Sequence, residues 1–431
     1  MTPRFRPGRR LAALAGVAAL LAAPGAASSQ EPGAEPGSEL RVYLLTMGPG
    51  DAIWEKFGHN AIWISDAARG TDLAYNYGMF DFAEPGFLQR FLAGSMRYWM
   101  EPFDGPASTR HYAAQNRSVW LQELNLRPAL RLALRDFLEW NARPENRYYE
   151  YDYYRDNCST RVRDALDRVL DGALRARLSE RFDGSTYRSH SLRLTADGFA
   201  AYTGILLGLG PFTDRPISAW DESFIPMELR EHARNVSVVG PDGAEAPLVL
   251  SETTLFESSR EPPPETPPDR TLLYLGIGLA LGALLATLGR AGSRRRATRT
   301  PFLALAAGWS LLAGTLGLVL AFLWAFTGHV STYGNENVLQ LSPLSVALGI
   351  LLFTRARRAP PAAYLAAAVL ALSVLGFLLQ LLPGFDQVNG GIIALALLAH
   401  AGVLLGLWQL VATPAVVSAR EPAPETAERL S

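Results

Sequence analysis

The feature that most constrains this chain is a set of five apolar runs in its C-terminal third, at 271–289, 302–326, 338–354, 361–382 and 391–412. Each comes near the roughly 20 residues that a helix needs to cross hydrocarbon, so this third is expected to be a five-helix transmembrane bundle. The third run is the shortest and carries Pro343. Arg290, Arg294, Arg295, Arg296 and Arg299 follow the first run, and Arg355, Arg357 and Arg358 follow the third, whereas 327–337 and 383–390 hold no Lys or Arg. By the positive-inside rule the Arg-rich loops face the cytoplasm and the residues before 271 lie on the opposite side.

The N-terminus agrees with that orientation. Arg4, Arg6, Arg9 and Arg10 precede an apolar run at 11–23 and then Gly25, Ala26 and Ala27, the pattern of a cleavable secretory signal. The expected organisation is a signal peptide at 1–27, an exported (periplasmic) catalytic domain at 28–256, a Pro-rich linker at 257–270, a transmembrane domain at 271–414 and a cytoplasmic tail at 415–431. Basic and acidic residues nearly cancel, 40 against 41, so no overall field would gather nucleic acid. Cys158 is the single cysteine, so no internal disulfide staples the exported domain and packing must hold it. Alternation predicts strands at 41–47, 59–65 and 73–77. Helical spacing predicts helices at 130–141 and 158–170.

Two residues have settings suited to chemistry. Cys158 opens the predicted helix in Arg155-Asp156-Asn157-Cys158-Ser159-Thr160-Arg161, with Asp156 or Asn157 as the N-cap. A thiol on a first helical turn beside Arg155 and Arg161 is expected to have a pKa below the free value of about 8.5. The unpaired amides of that turn suit a developing oxyanion. His59 begins a strand immediately after Gly58. The order His before Cys, about a hundred residues apart, is that of the circularly permuted NlpC-type relatives of papain, a group that includes relatives of lecithin retinol acyltransferase. The expected fold of the exported domain is therefore α+β and permuted papain/NlpC-like.

The chain resembles the Lnb lipoprotein N-acyltransferase family through Phe57-Gly58-His59, the block Tyr75-Asn76-Tyr77-Gly78-Met79-Phe80-Asp81-Phe82, Tyr151-Asp152, Asp156-Asn157-Cys158-Ser159-Thr160-Arg161, Asp214-Arg215-Pro216 and Phe224-Ile225-Pro226. These span most of residues 40–230. The resemblance implies Cys158 as nucleophile and His59 as general base, with a third, orienting group on the next strand. Asn76 is best placed for that role by spacing, although a plain strand-end turn residue is an equal reading, and Asp152 is the weaker alternative. The resemblance further implies a multi-pass protein of the bacterial cytoplasmic (inner) membrane, with membrane phospholipid as acyl donor and a diacylated lipoprotein as acceptor. A Cys peptidase or amidase acting on cell-wall peptide is the rival enzyme reading, and a non-catalytic sensor or assembly platform the non-enzymatic one. No metal-ligand spacing and no phosphate-binding Gly loop is readable, and neither metal nor cofactor is expected. His400 lies inside an apolar run, an unusual place for an ionisable residue.

Overall fold

A computed structural model describes residues 35–240, 243–354 and 359–412; the expected signal peptide and cytoplasmic tail fall outside the described residues. The exported half is a mixed α/β domain built on one seven-stranded sheet. Its order is Val249–Phe256, β5 (Val119–Leu124), β1 (Leu40–Met47), β2 (His59–Asp66), β3 (Thr71–Met79), β4 (Met96–Asp104) and β6 (Tyr148–Tyr151). Every neighbouring pair is antiparallel. Helix α1 (Phe87–Ala93) lies between β3 and β4 in sequence.

Strand β1, third in the sheet, contributes buried apolar residues to both sides because both faces of the sheet are covered. Leu40, Val42 and Leu44 join a core closed by Leu134 and Leu138 of α3 (Pro128–Asn141) and by Val162, Ala165 and Leu166 of α4 (Cys158–Val169). Leu45 and Met47 join a second core with Ala61, Ala74 and Val119, closed by Tyr112 of α2 (Gly105–Ala114). The first turn of α4 is set by Asn157, whose Oδ1 accepts the Ser159 and Thr160 amides, both at 2.9 Å, while Thr160 Oγ1 accepts the Asn157 amide at 2.7 Å. This reciprocal cap fixes where the helix begins, and hence where Cys158 sits.

Among the described residues of the C-terminal third, four helices are long and apolar enough to cross a membrane: Thr271–Arg294, Arg296–Phe326, Pro360–Leu379 and Gly390–Ala412. The third apolar run differs from the expected single helix. It divides into Asn337–Gln340 and Leu344–Thr354. Pro343 lies at the break, where it offers no N–H to continue the first piece. Eleven helical residues reach only about 16 Å, roughly half the hydrocarbon thickness. The first and last spans approach through small residues: a Cβ on Gly289 would lie 2.2 Å from Gly406 Cα, and one on Gly402 would lie 2.4 Å from the Gly282 carbonyl oxygen. His400 is a joint between helices, its Nε2 at 2.9 Å from the Gln340 carbonyl and its Nδ1 accepting from Trp309 Nε1 at 3.3 Å.

Between Phe256 and Thr271 the chain forms neither helix nor strand. The exported domain is nonetheless bonded directly to the bundle. Asn335 Nδ2, in the loop after the second span, donates to the Leu207 and Gly208 carbonyls at 2.7 and 3.0 Å, ending the helix Phe199–Gly208. Gly210 N–H donates to Ser331 O at 2.8 Å, and the Thr203 and Tyr274 hydroxyls meet at 2.7 Å.

Candidate active site

Local backbone geometry brings the imidazole to the end of the sheet. Gly58 has a φ of +83°, and a Cβ there would lie 2.8 Å from the Met47 carbonyl oxygen, so the turn into β2 accepts only glycine without displacement. His59 then pairs across β1 with Met47, and alternation puts His59 and Ala61 on the face covered by α2. Asn76 of β3 is paired with Ala61 and is buried. Its amide orientation is determined by its two contacts: Nδ2 donates to the Ala74 carbonyl at 2.8 Å, which turns Oδ1 toward His59 Nε2 at 3.0 Å. The ring therefore carries its proton on Nε2, leaving Nδ1 as the basic nitrogen. Tyr112 stacks on the imidazole with 6.1 Å between centroids.

Cys158 comes from the opposite face, on α4, and reaches the same end of the sheet where β2 and β3 part. The β2–β3 register stops at Ala61↔Asn76, and β3 is irregular between Asn76 and Met79 in its pairing with β4. Past that point the Asn60 amide is directed at the Cys158 sulfur, as are the amides of Cys158 and Ser159. Gly78, with a φ of +84°, lies under the cysteine, and a Cβ there would come within 3.2 Å of Cys158 Cβ. The neighbouring Asn60 side chain donates to Ser159 Oγ at 3.1 Å and ties β2 to the first turn of α4. Among the described residues no hydrogen bond runs between the thiol and the imidazole. They share electrostatic neighbours instead, since Tyr112 and Arg117 act on Cys158, Tyr112 stacks on His59 and Arg117 acts on its charge.

The electrostatics overturn one sequence expectation. Desolvation by the surrounding protein pushes the half-buried Cys158 thiol up to about 11, against the pull of the three amides and of Arg117. The two arginines expected to lower it are engaged elsewhere: Arg161 forms a bidentate pair with Asp156, and Arg155 lies over the Phe212 ring. Burial also pulls His59 down to about 4, helped by the Arg117 guanidinium and opposed by the bond to Asn76. At neutral pH both groups are thus uncharged, a thiol and a neutral imidazole.

Asp152, the weaker candidate for the third group, is occupied as a turn cap, its Oδ1 accepting the Tyr154 and Arg155 amides at 2.9 and 2.8 Å. Sequence pattern did not single out Tyr112 or Arg117, which come from α2 and the loop after it, and Gly78 of β3 stood there only as part of the Tyr75–Phe82 block, with no role of its own. Asn60 was the one with a signal, by its place next to His59. Nor does sequence context mark His190 and His232, yet both bond to the buried Glu222, Nε2 to carboxylate, at 2.7 and 2.8 Å. Glu222, Glu228 and His232 also place ligand-type atoms within 4.8 Å of one another. Arg193 pairs with Glu228 and donates to His190 Nδ1 at 3.0 Å, and a guanidinium in that position opposes a metal cation. A polar cleft of about 450 Å³ along α4, between Arg155, Asp164, Arg175 and Asp221, includes neither Cys158 nor His59.

Residues 34–195 match the Lnb N-terminal periplasmic domain, and residues 279–410 match the Lnb transmembrane domain. No curated protein and no solved structure matches the chain. Cys158, His59 and Asn76 all fall within the first match, and the four long apolar helices fall largely within the second. With both parts present in that order, this chain belongs to the Lnb family and is a membrane protein with a periplasmic domain.

Proposed function

We propose that this protein is a membrane-bound thiol acyltransferase of the bacterial inner membrane that moves a fatty acyl chain from phospholipid, through a thioester on Cys158, to the N-terminal amine of lipoproteins. Lnb membership supports the coarser statement, a membrane-associated lipoprotein-modifying enzyme. The observation that favours the finer one is the Cys158 sulfur set among three amides and sharing Tyr112 and Arg117 as neighbours with an imidazole whose tautomer leaves Nδ1 free. In this reading Cys158 is the nucleophile, His59 the base and Asn76 the orienting group on a permuted papain/NlpC-like domain at 28–256. The linker at 257–270 joins it to a bundle that crosses the bilayer five times, counting the bent third run.

His59 Nδ1 takes the thiol proton as Sγ attacks the carbonyl carbon of a phospholipid ester. Nearby amides stabilise the tetrahedral oxyanion. Its collapse breaks the acyl C–O bond, and His59 passes the proton to the leaving lysophospholipid oxygen. The free α-amine of an S-diacylglyceryl-cysteine lipoprotein then attacks the thioester; the C–S bond breaks, and His59 carries the amine proton to the departing sulfur. A neutral resting pair suits this course, because a thiol that ionises only as it attacks resists stray alkylation and oxidation. Donor and acceptor are both confined to the bilayer, so anchoring the domain there replaces diffusion with proximity.

The test is intact-protein mass spectrometry of the detergent-purified protein after exposure to phospholipid, with and without hydroxylamine, beside Cys158→Ala. A hydroxylamine-labile fatty-acyl adduct absent from the mutant supports the mechanism. Absence of any adduct, while Cys158 still alkylates, overturns the lipid-donor step and favours the cell-wall peptidase or amidase reading.

A further inference from the structure

The exported domain carries an apolar surface that its own core does not use. Leu88, Phe91 and Leu92 recur at i, i+3 and i+4 on the outward side of α1, and Leu88 and Leu92 are 63% and 52% exposed. Phe87, on the inward side, stacks on Phe80 at 5.9 Å. Phe82 is 61% exposed and meets Trp54, itself 57% exposed, edge to face at 5.4 Å. Four large apolar side chains left this open on one rim call for a partner.

The position of α1 says which partner. Gly328 N–H donates to the Ala93 carbonyl at 2.7 Å, and His329 Nε2 lies 2.9 Å from the Phe91 carbonyl. Gly94 and Gly328 are so close that a Cβ on Gly94 would lie 2.7 Å from the Gly328 carbonyl carbon. The second membrane span ends at Phe326, two residues before Gly328, a distance the chain covers in about 7 Å. That span's final phenylalanine is 77% exposed, so the apolar belt of the bundle runs on toward α1. In sequence the rim also lies close to His59 and to Gly78, the residue packed under Cys158. Trp54 precedes His59 by five residues, and Phe82, in contact with Phe80 at 4.9 Å, follows Gly78 by four.

We propose that α1, with Trp54 and Phe82, is an interfacial foot seated among the lipids of the outer leaflet, and that the donor acyl chain enters along it to reach Cys158. The seating stands on geometry alone; the delivery rests on the acyl-transfer reading above. Interfacial helices of this kind sink about 5–10 Å into the headgroup and acyl boundary, within reach of the end of the second span.

Full-length Cys158→Ala protein, which has no other thiol, is given a single Leu88→Cys or Leu92→Cys, labelled with an environment-sensitive fluorophore and placed in nanodiscs of ordinary or acyl-brominated phosphatidylcholine. Leu279→Cys, on the first span, is the lipid-exposed reference. Ala68→Cys, at the far end of β2 from His59, is the water-exposed one. Bromolipid quenching at 88 and 92 near that at 279 is the expected result; quenching no greater than at 68 overturns the seating and leaves a protein partner as the occupant. In otherwise wild-type protein, Leu88→Asp/Leu92→Asp is expected to slow Cys158 acylation from bilayer phospholipid by about tenfold or more, as for the loss of two buried leucines. Its Cys158 alkylation rate should be unchanged. Unaltered acylation in that variant overturns the delivery. Wild-type protein that forms no thioester sinks the acyl-transfer reading instead and leaves the quenching result standing.

Discussion

Asn76 holds His59 in one tautomer: its Oδ1 accepts from Nε2 at 3.0 Å while its Nδ2 is committed to the Ala74 carbonyl at 2.8 Å. Because the second bond keeps the amide from flipping, an acceptor faces the ring at all times. Asn76→Ala should lower the rate of Cys158 acylation by about 10²-fold, and His59→Ala by more, within the roughly 10²–10⁴-fold range of general base catalysis. Single-turnover acylation followed by mass spectrometry measures both. Equal rates for wild type and Asn76→Ala would reduce Asn76 to a strand-end residue.

The neutral state of the pair predicts the pH dependence. With the thiol near 11, iodoacetamide alkylation of Cys158 should be slow at pH 7 relative to free cysteine and should still be rising past pH 9. An inflection below pH 8 would mean a thiolate–imidazolium pair instead. The same shifts act on stability. His59 has a folded pKa of about 4, below its ordinary 6.5, so the unfolded chain binds the extra proton first and stability falls as pH drops from about 6.5 to 4. Cys158 loses stability on the other side, as pH rises from about 9 to 11. Cys158→Ser should lessen the alkaline decline in thermal unfolding and leave the acid one in place.

Gly78 permits the close approach of α4 to β3. Gly78→Ala adds a Cβ at positive φ and 3.2 Å from Cys158 Cβ, which should cost about 1 kcal/mol or more of stability and displace the thiol. The readouts are thermal unfolding in detergent and Cys158 acylation, and both should fall. Full acylation in a destabilised protein would show that the sulfur tolerates the shift.

Glu222 joins His190 and His232 across three helical segments, and its carboxylate is held well below the ordinary range by those two imidazoles despite burial. Glu222→Ala leaves two buried rings without their acceptor and should cost about 3–5 kcal/mol, the range for breaking a buried pair. Thermal unfolding checks it. A loss below about 1 kcal/mol would show that Arg193 and Glu228 can take over the network.

The parts of this molecule that depend on neighbours in sequence were legible in advance. Apolar runs long enough for hydrocarbon marked the membrane third, alternation located β1, β2 and β3 to within a residue or two, and the polar residues before Cys158 announced a capped helix. Within the Lnb resemblance, spacing also brought forward Asn76 on the strand after His59; the structure pairs it with Ala61 and sets its Oδ1 3.0 Å from the His59 ring. These readings succeed because periodicity and capping are set within a few residues along the chain. The thiol was misread for the opposite reason. Its dipole and its two arginines are local, but the burial that dominates it is assembled from β2, β3, α2 and α4, and a Coulomb pull from charges already paired cannot offset that desolvation. The Glu222 imidazole pair and the exposed rim of α1 likewise depend on contacts between segments ten to hundreds of residues apart, whereas the break in the third apolar run falls at Pro343, a local feature. Sequence determined which elements exist and which residues are candidates for chemistry; tertiary packing decided their protonation, their partners and which apolar side chains were left exposed.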